Sequence, residues 1–190
     1  MRIIAGTHKG RVLASPTWDG LRPTSDRLRE TLFNLLASRL AGATLLDVCA
    51  GTGAIALEAL SRGATRVTCL ESDGRAVRLI AANAAHCGLE NRCVIIRGTA
   101  PEALTVGRVG GPFDLVVLDP PYAAPWLDEA VAAARQLVAD DGLVVLEHSS
   151  RRAAPEPYGL RLERTRRAGD SALSTYRAVP GTDGKGPEEP

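Results

Sequence analysis

The residues best suited to chemistry in this sequence are Asp119-Pro120-Pro121-Tyr122, which follow the largely apolar run 113–118. Proline has no backbone N–H, so the polar groups left at this corner are acceptors, chiefly the Asp119 carboxylate and the Pro120 carbonyl. They can accept both hydrogens of a planar amino group and expose its lone pair, while Tyr122 stacks on the ring that carries it. We therefore predict Asp119, Pro120 and Tyr122 as catalytic residues. The alternative is a proline turn covered by an aromatic side chain.

A glycine-rich turn lies earlier in the chain, between an apolar run that contains Asp47 and a helix-like segment. Ala50, Gly51 and Gly53 are small enough for a tight turn that a ligand can approach closely, ahead of the free N–H groups of a helix. Glu71 ends the next apolar run, where a carboxylate can accept hydrogen bonds from both hydroxyls of a ribose. This combination predicts a site for an adenosine-type cofactor.

Two cofactor classes fit that turn. Gly51-x-Gly53-x-x-Ala56 satisfies the loose dinucleotide pattern, which leaves an NAD-dependent oxidoreductase as a competing hypothesis. The carboxylate of Asp47 would repel a pyrophosphate, whereas it can hold the ammonium of a methionine moiety, directly or through water. Together with the amino-aligning corner at Asp119, which we also assign to the cofactor site, this favours methyl transfer from S-adenosylmethionine.

Apolar runs and helix-like segments alternate from residue 44 onward. We predict strands at 45–49, 66–71, 93–97, 113–119 and 142–147, and helices at 54–61, 74–85, 101–105 and 126–138. Near-continuous apolar strands alternating with helices indicate a parallel sheet covered on both faces. Segments 160–167 and 172–179 flank a Gly169-Asp170 turn, which predicts an antiparallel hairpin at the sheet edge. The expected fold is α/β, doubly wound and Rossmann-like, with a mostly parallel seven-stranded sheet.

The chain divides by pattern into three parts. Residues 1–39 read as an N-terminal extension, a hairpin followed by a helix that Thr24 or Ser25 caps, with Leu28, Leu32, Leu35 and Leu36 on its buried face. Residues 40–179 form the main domain. Residues 180–190 are rich in glycine, proline and acids and are expected to be disordered.

Charge is unevenly distributed along the chain. Residues 1–39 contain seven basic and three acidic residues, and so do residues 151–177. Residues 40–150 contain eight basic and thirteen acidic residues. Basic flanks around an acidic middle suit a polyanion. An ordinary solvated surface remains the alternative.

Membrane insertion, secretion and zinc binding are not expected. The sequence has neither an apolar run of about 18 residues nor a signal peptide, so we expect a cytoplasmic protein. We also expect it to act as a monomer. Its four cysteines form no C-x-x-C pair, so no metal site is predicted. Cys49 and Cys69, which lie within strand-like runs, are expected to be buried thiols.

Four segments together carry a family resemblance: 6–11, 22–34, 47–64 and 119–122. Over about residues 1–178 the chain resembles the bacterial 16S rRNA guanine-N2 methyltransferase D family, departing from it at Val48-Cys49, where the family often has a phenylalanine. The resemblance implies S-adenosylmethionine-dependent methylation of the N2 amino group of one guanine in 16S rRNA, within an assembled or partly assembled small subunit. An amino-methyltransferase of another nucleic acid or of protein glutamine, and a noncatalytic RNA-binding module, remain alternatives.

The resemblance also implies roles for residues outside the two motifs. Lys9 and Arg11 of the basic hairpin are expected to hold rRNA phosphates, with an ordinary surface hairpin as the alternative. In related enzymes the segment around Arg22-Pro23-Thr24 folds over the cofactor, and an arginine there meets the methionine carboxylate; we assign this role to Arg27. Thr99 and Ala100 occupy the place where adenine rests in this fold, and Ser72 beside Glu71 completes the expected cofactor site. His148 is interpreted as a structural histidine.

Overall fold

The structure of the protein, a computed structural model, describes residues 1–19 and 25–182. Its elements, in chain order, are α1 (Asp26–Leu36), β1 (Thr44–Val48), α2 (Ala54–Ser61), β2 (Arg66–Glu71), α3 (Gly74–Cys87), a 3-10 turn (Glu90–Arg92), β3 (Cys93–Arg97), α4 (Val106–Val109), β4 (Phe113–Leu118), α5 (Leu127–Ala134), β5 (Val138–Ser149), β6 (Leu160–Ala168) and β7 (Ser171–Ala178). The seven-stranded sheet has the order β3-β2-β1-β4-β5-β7-β6. The predicted doubly wound, mostly parallel sheet is confirmed.

The chain forms two compact units, Met1–Thr99 and Ala100–Pro190. The predicted division at residues 39 and 179 is a different one, based on sequence pattern, and stays a prediction. The helix opening at Arg22-Pro23-Thr24 and residues 183–190 of the tail expected to be disordered lie outside the described residues. No helix in the described ranges is long and apolar enough to cross a membrane.

In the first unit β1, β2 and β3 run parallel, with Leu45 opposite Val67 and Val67 opposite Cys93. Helices α2 and α3 pack on these strands, and every residue of α2 is buried. Burial on both faces explains why strands β1 and β2 are nearly continuous in apolar residues. Their bounds agree with the prediction to within one residue.

The N-terminal hairpin rests on α2. Its two arms meet at an antiparallel bridge between Arg2 and Val12. The fully buried Glu58 accepts hydrogen bonds from the backbone N–H groups of Ile4 (2.6 Å) and Ala5 (3.0 Å). Ser61 accepts one from the N–H of His8 at 2.9 Å. The acid inside an otherwise apolar helix therefore holds the extension in place.

Gly6 makes the closest approach of the hairpin to α2. A Cβ atom at Gly6 would lie 1.9 Å from the Ser61 carbonyl oxygen, whereas one at Gly10, which has the same φ of +84°, would meet nothing within 4 Å. We expect Gly10→Ala to cost about 1–2 kcal/mol of unfolding free energy, from the left-handed backbone alone. Gly6→Ala adds an overpacking cost of about 1–3 kcal/mol or undocks the hairpin.

Urea unfolding of both variants measures this difference directly. Gly10→Ala is the matched control, because it carries the same backbone strain without the steric contact. Equal unfolding free energies for the two variants would show that the hairpin does not need the close contact at Ser61.

Helix α1 begins as predicted, because the Ser25 hydroxyl accepts a hydrogen bond from the Leu28 N–H at 3.3 Å. The buried face differs from the leucine pattern, since Leu35 is only half-buried and Arg29 is completely buried. Arg29 Nη2 donates to the Asp26 carboxylate (2.7 Å) and to the Arg2 carbonyl (3.0 Å). The arginine thus ties α1 to the hairpin, a contact that periodicity does not reveal.

In the second unit β4 and β5 are parallel, and β7 pairs antiparallel with both β5 and β6. The predicted antiparallel hairpin across Gly169-Asp170 is therefore confirmed, with β6 as the edge strand. β6 exposes most of its side chains, as an edge strand can, whereas β7 is buried along most of its length.

Two helices in this unit differ from the prediction in their extent. The expected helix 101–105 is a single turn, because Thr105 is extended (φ −128°), and α4 begins only after it. The expected helix 126–138 ends at Ala134, since Phe113 pairs with Val138 and draws that residue into β5. As a result β5 begins four residues before the predicted strand.

Candidate functional site

The turn after β1 has the backbone that its glycines predict. Cys49, Gly51 and Gly53 all have positive φ, of 63°, 57° and 76°. The N–H groups of Cys49 and Ala50 both donate to the Leu70 carbonyl, at 2.9 and 3.2 Å, which fastens the turn to β2. β1 ends at Val48, so Cys49 lies in the turn and is half-buried rather than a buried strand thiol as expected. Ala50 is buried.

Glu71 is buried at the end of β2 and faces this turn. Its Oε2 accepts a hydrogen bond from the Gly51 N–H at 2.8 Å, and its Oε1 accepts one from the Asp73 N–H at 2.9 Å. The Ser72 hydroxyl donates to Oε1 over a longer 3.4 Å. A carboxylate has about four acceptor positions, so about two are free for a diol once the exposed Ser72 hydroxyl turns away.

Asp47 lies beneath the start of α2 and is 1% exposed. Its Oδ2 accepts a hydrogen bond from the Ala56 N–H at 3.2 Å, so the carboxylate caps the helix. Gly53, the N-cap residue, has no side chain that can do this. The predicted role of Asp47 toward a methionine ammonium stays a prediction, alongside this structural one.

Asn83 is a residue of this unit that the motifs did not indicate. Its side chain is 2% exposed, and its Nδ2 donates to the carbonyls of Thr52 (3.1 Å) and Ala14 (3.2 Å). Its Oδ1 accepts from the Ala14 N–H at 2.8 Å. Asn83 therefore joins the glycine turn to the chain after the hairpin. The available signal was a polar residue at a buried position of α3, in step with Ile80 and Cys87.

The remaining predicted cofactor residues of this unit are more exposed. Thr99 follows β3, and the N–H of Gly98 donates to the Glu71 carbonyl at 3.0 Å, which keeps this segment beside β2. Arg27 is exposed on α1. Ala100, in the second unit, is buried. Their contacts with a cofactor stay predictions.

The residues of the first unit fit S-adenosylmethionine. The buried Glu71 carboxylate supplies acceptors for a ribose diol, and the small residues Gly51 and Gly53 let a ligand approach the backbone. The carboxylate of Asp47 lies beneath the start of α2 and accepts from the Ala56 N–H. A cationic amino-acid moiety is better matched to that acid than a pyrophosphate is.

The acceptor corner of the second unit follows β4. Asp119 is half-buried, Pro120 is buried and Pro121 is exposed. The N–H of Ala124 donates to the Pro121 carbonyl at 2.9 Å, which closes the turn. Tyr122 is half-buried, and its hydroxyl donates to Glu147 Oε1 at 3.2 Å. The phenol is thereby held at its polar end.

His148 and Glu147, near the end of β5, have different roles. His148 is 1% exposed, and both of its ring nitrogens have partners: Ser174 Oγ at 2.8 Å and the Ser149 carbonyl at 3.0 Å. Burial lowers the pKa of His148, so the ring is neutral and structural, in agreement with the sequence interpretation. Glu147 instead faces Tyr122 and Ser171.

The basic residues are displayed on the surface of each unit. Lys9 and Arg11 are exposed on the hairpin, and Arg11 Nη1 donates to the His86 carbonyl at 3.2 Å. In the second unit the edge strand β6 exposes several arginines without an acidic partner among the residues that the structure describes: Arg164, Arg166 and Arg167.

Comparison with known proteins gives consistent matches over nearly the whole chain. Residues 1–177 match the family described as "Conserved hypothetical protein 95". Ribosomal RNA small subunit methyltransferase D of Escherichia coli K12 is 36% identical over 180 residues, which cover 93% of this chain and 89% of that one. The protein of the same name from Haemophilus influenzae is 37% identical over 134 residues, covering 70% and 69%. The solved structure of a hypothetical protein from Thermus thermophilus has a TM-score of 0.78 at 32% identity, covering 94% of this chain and 99% of that one.

Proposed function

Because this chain belongs to the ribosomal RNA small subunit methyltransferase D family, we propose that it methylates the N2 amino group of one guanine in 16S rRNA. The protein is a methyltransferase, and its cofactor is S-adenosylmethionine. The proposed substrate is an assembled or partly assembled small subunit, and the protein acts as a cytoplasmic monomer. A domain this small has little surface for reading an RNA sequence, which favours a substrate already folded into shape.

The observation that carries this proposal is the acceptor corner at Asp119. Its carboxylate and the Pro120 carbonyl accept the two hydrogens of the guanine amino group, and this directs the nitrogen lone pair outward. The ring of Tyr122, fixed at its hydroxyl by Glu147, stacks on the base. A hydroxyl or ring-carbon substrate would leave one of these acceptors without a donor.

The residues of the first unit hold the cofactor. Glu71 accepts from the ribose hydroxyls, and its bond to Gly51 keeps the turn in shape around the ligand. Asp47 faces the methionine ammonium, and Arg27 takes the carboxylate. Bound S-adenosylmethionine supplies a methyl group activated by its sulfonium charge.

The chain contributes alignment rather than a strong base. Once the amino nitrogen carries the methyl group it is positively charged, and its proton is then acidic enough to pass to the Asp119 carboxylate or to water. Holding the reacting nitrogen in line can supply about 7–11 kcal/mol of the barrier reduction. The main contribution of the second unit to catalysis is therefore the positioning of Asp119 and Tyr122.

Methyl transfer measured side by side on naked 16S rRNA and on unmethylated small subunits tests the proposal, with the modified nucleotide mapped. We expect transfer to one guanine N2 on the subunit and little on the naked RNA. Transfer to an adenine, a cytosine or a protein glutamine would overturn the assignment of the substrate, and NAD(P)H binding without S-adenosylmethionine binding would overturn the reaction class.

The arginines of β6 are proposed to contact rRNA phosphates. Each phosphate contact adds about 0.7–0.9 to the slope of log affinity against log salt. We expect the triple variant Arg164→Gln, Arg166→Gln and Arg167→Gln to lower the slope for binding to small subunits by about 2–3. Filter binding at several salt concentrations measures it.

Arg152→Gln serves as the control, because the Arg152 guanidinium is already paired with Asp128 at 2.6 Å. It removes a positive charge from the same unit, and we expect an unchanged slope. If the triple variant kept the wild-type slope, β6 would not be an RNA-contacting strand.

A further inference from the structure

Glu147 is a buried carboxyl group that the reaction described above does not use for binding. It lies near the end of β5, and the parallel register pairs Leu146 with Leu118 of β4. The next residue on each strand is therefore a carboxylic acid, Glu147 beside Asp119. Glu147 is 7% exposed, so it does not have the solvation that an isolated carboxylate needs.

Glu147 is in contact with two hydroxyl groups and with the carboxyl group of Asp119. Oε1 lies 3.2 Å from the Tyr122 hydroxyl and 3.2 Å from the Ser171 hydroxyl. The two hydroxyls also lie 2.5 Å from each other. Each hydroxyl has a single proton, so one of them donates to the other and the second donates to Oε1. The side chains of Glu147 and Asp119 are also hydrogen-bonded to each other. Two carboxylates have no proton for such a bond, so one of them must be protonated.

We infer that Glu147 is a positioning residue for the methyl transfer proposed above: its carboxyl proton is donated to Asp119, and its Oε1 fixes the hydroxyl of Tyr122. One carboxyl group thus aligns both the acceptor of the amino hydrogens and the ring that stacks on the base. The inference rests on the proposed function for its substrate, but the carboxyl pair itself does not depend on the substrate.

The acidity of Glu147 agrees with this arrangement. Burial, followed by the negative charge of Asp119, raises the pKa of Glu147 to about 8. Asp119 from the end of β4 and Tyr122 from the following turn are the titratable groups that face it, and β7 contributes only the Ser171 hydroxyl. At neutral pH the pair therefore carries one negative charge. As the pH rises through about 8, Glu147 loses its proton, and the two carboxylates repel each other.

Single-turnover methyl transfer between about pH 6 and about pH 9 tests the inference with two variants. In Glu147→Gln the amide N–H replaces the proton toward Asp119, and the amide oxygen still accepts from Tyr122 and Ser171. We expect Glu147→Gln to keep the wild-type rate at pH 7 within about threefold. The wild-type rate is expected to fall above about pH 8, and the rate of Glu147→Gln is not. Glu147→Ala removes both contacts, and we expect a rate lower by on the order of 10- to 100-fold.

Guanine itself titrates at alkaline pH, but this affects wild type and Glu147→Gln alike, so the comparison isolates the protein group. The inference is overturned if Glu147→Gln declines with pH as the wild type does, or if it is as slow as Glu147→Ala. It is equally overturned if Glu147→Ala transfers methyl at the wild-type rate.

A measurement without substrate separates this inference from the proposed function. In protein with carbon-13-labelled glutamate carboxyls, we expect one resonance that titrates near pH 8 and is missing from Glu147→Gln. If no glutamate titrates above about pH 6, the carboxyl pair is wrong even where methyl transfer occurs. If the titration is present but no RNA is methylated, the proposed function fails and the carboxyl pair stands.

Discussion

Replacing Asp119 by alanine is expected to slow methyl transfer by at least on the order of 10²-fold, while the protein stays folded and still binds S-adenosylmethionine. The variant loses the carboxylate that accepts an amino hydrogen and orients the nitrogen lone pair. Removing one preorganised polar group that acts on the transition state costs on the order of 10²- to 10³-fold in rate. Loss of the partner of Glu147 adds to this effect, because the Glu147 proton then has no acceptor. Single-turnover transfer to small subunits measures the change.

Asp114→Ala is the matched control, since Asp114 is an exposed aspartate on the same strand, β4. We expect it to transfer methyl at close to the wild-type rate. Calorimetric titration with S-adenosylmethionine should give dissociation constants within about tenfold of wild type for both variants, since most cofactor contacts belong to other residues. Unchanged turnover in Asp119→Ala would exclude Asp119 as the group that aligns the amino nitrogen.

The strands and the two motifs could be predicted because their signals are local. A run such as 115–118 is apolar on both faces since it is buried on both faces, and Gly51 and Gly53 are needed where φ is positive. The two acids that matter, Glu71 and Asp119, end strands, which is where open α/β sheets place their ligands. No knowledge of distant contacts was required for these predictions.

Predictions failed or were missing wherever the structure around a residue depends on a partner far away in the sequence. Val138 joins a strand rather than a helix because Phe113 pairs with it. Arg29 and Asn83 are polar side chains at buried helix positions, and their partners, Arg2 and Ala14, lie in the N-terminal segment. A buried polar residue inside an apolar periodic pattern is the signal to search for, although the pattern does not identify the partner.

Glu147 shows how far such a signal extends. In the sequence it is simply the acid that ends the predicted strand 142–147. Its role follows from the register between β4 and β5 and from the position of Ser171 at the start of β7. Neither can be read from local pattern, because the register of a strand pair depends on packing across the whole sheet.

Replacing Glu71 by alanine is expected to weaken S-adenosylmethionine binding by on the order of 10- to 100-fold. Hydrogen bonds to a charged group contribute about 1.5–3 kcal/mol, and the variant loses those to the ribose hydroxyls. It also releases the Gly51 N–H, which Glu71 Oε2 holds at 2.8 Å, so the turn loses its shape before the ligand arrives. Calorimetric titration measures the affinity, and hydrogen exchange at the Gly51 amide measures the loosening.

Asp73→Asn provides the comparison, because Asp73 is a neighbouring acid that caps α3 and pairs with Arg75. Asparagine keeps the cap, so we expect the variant to bind S-adenosylmethionine as the wild type does. Weak binding by both variants would point to a general effect of negative charge. Wild-type affinity in Glu71→Ala would show that this carboxylate does not bind the ribose. Faster exchange at Gly51 together with lost affinity in Glu71→Ala alone would mean that one carboxylate both shapes the turn and recognises the sugar.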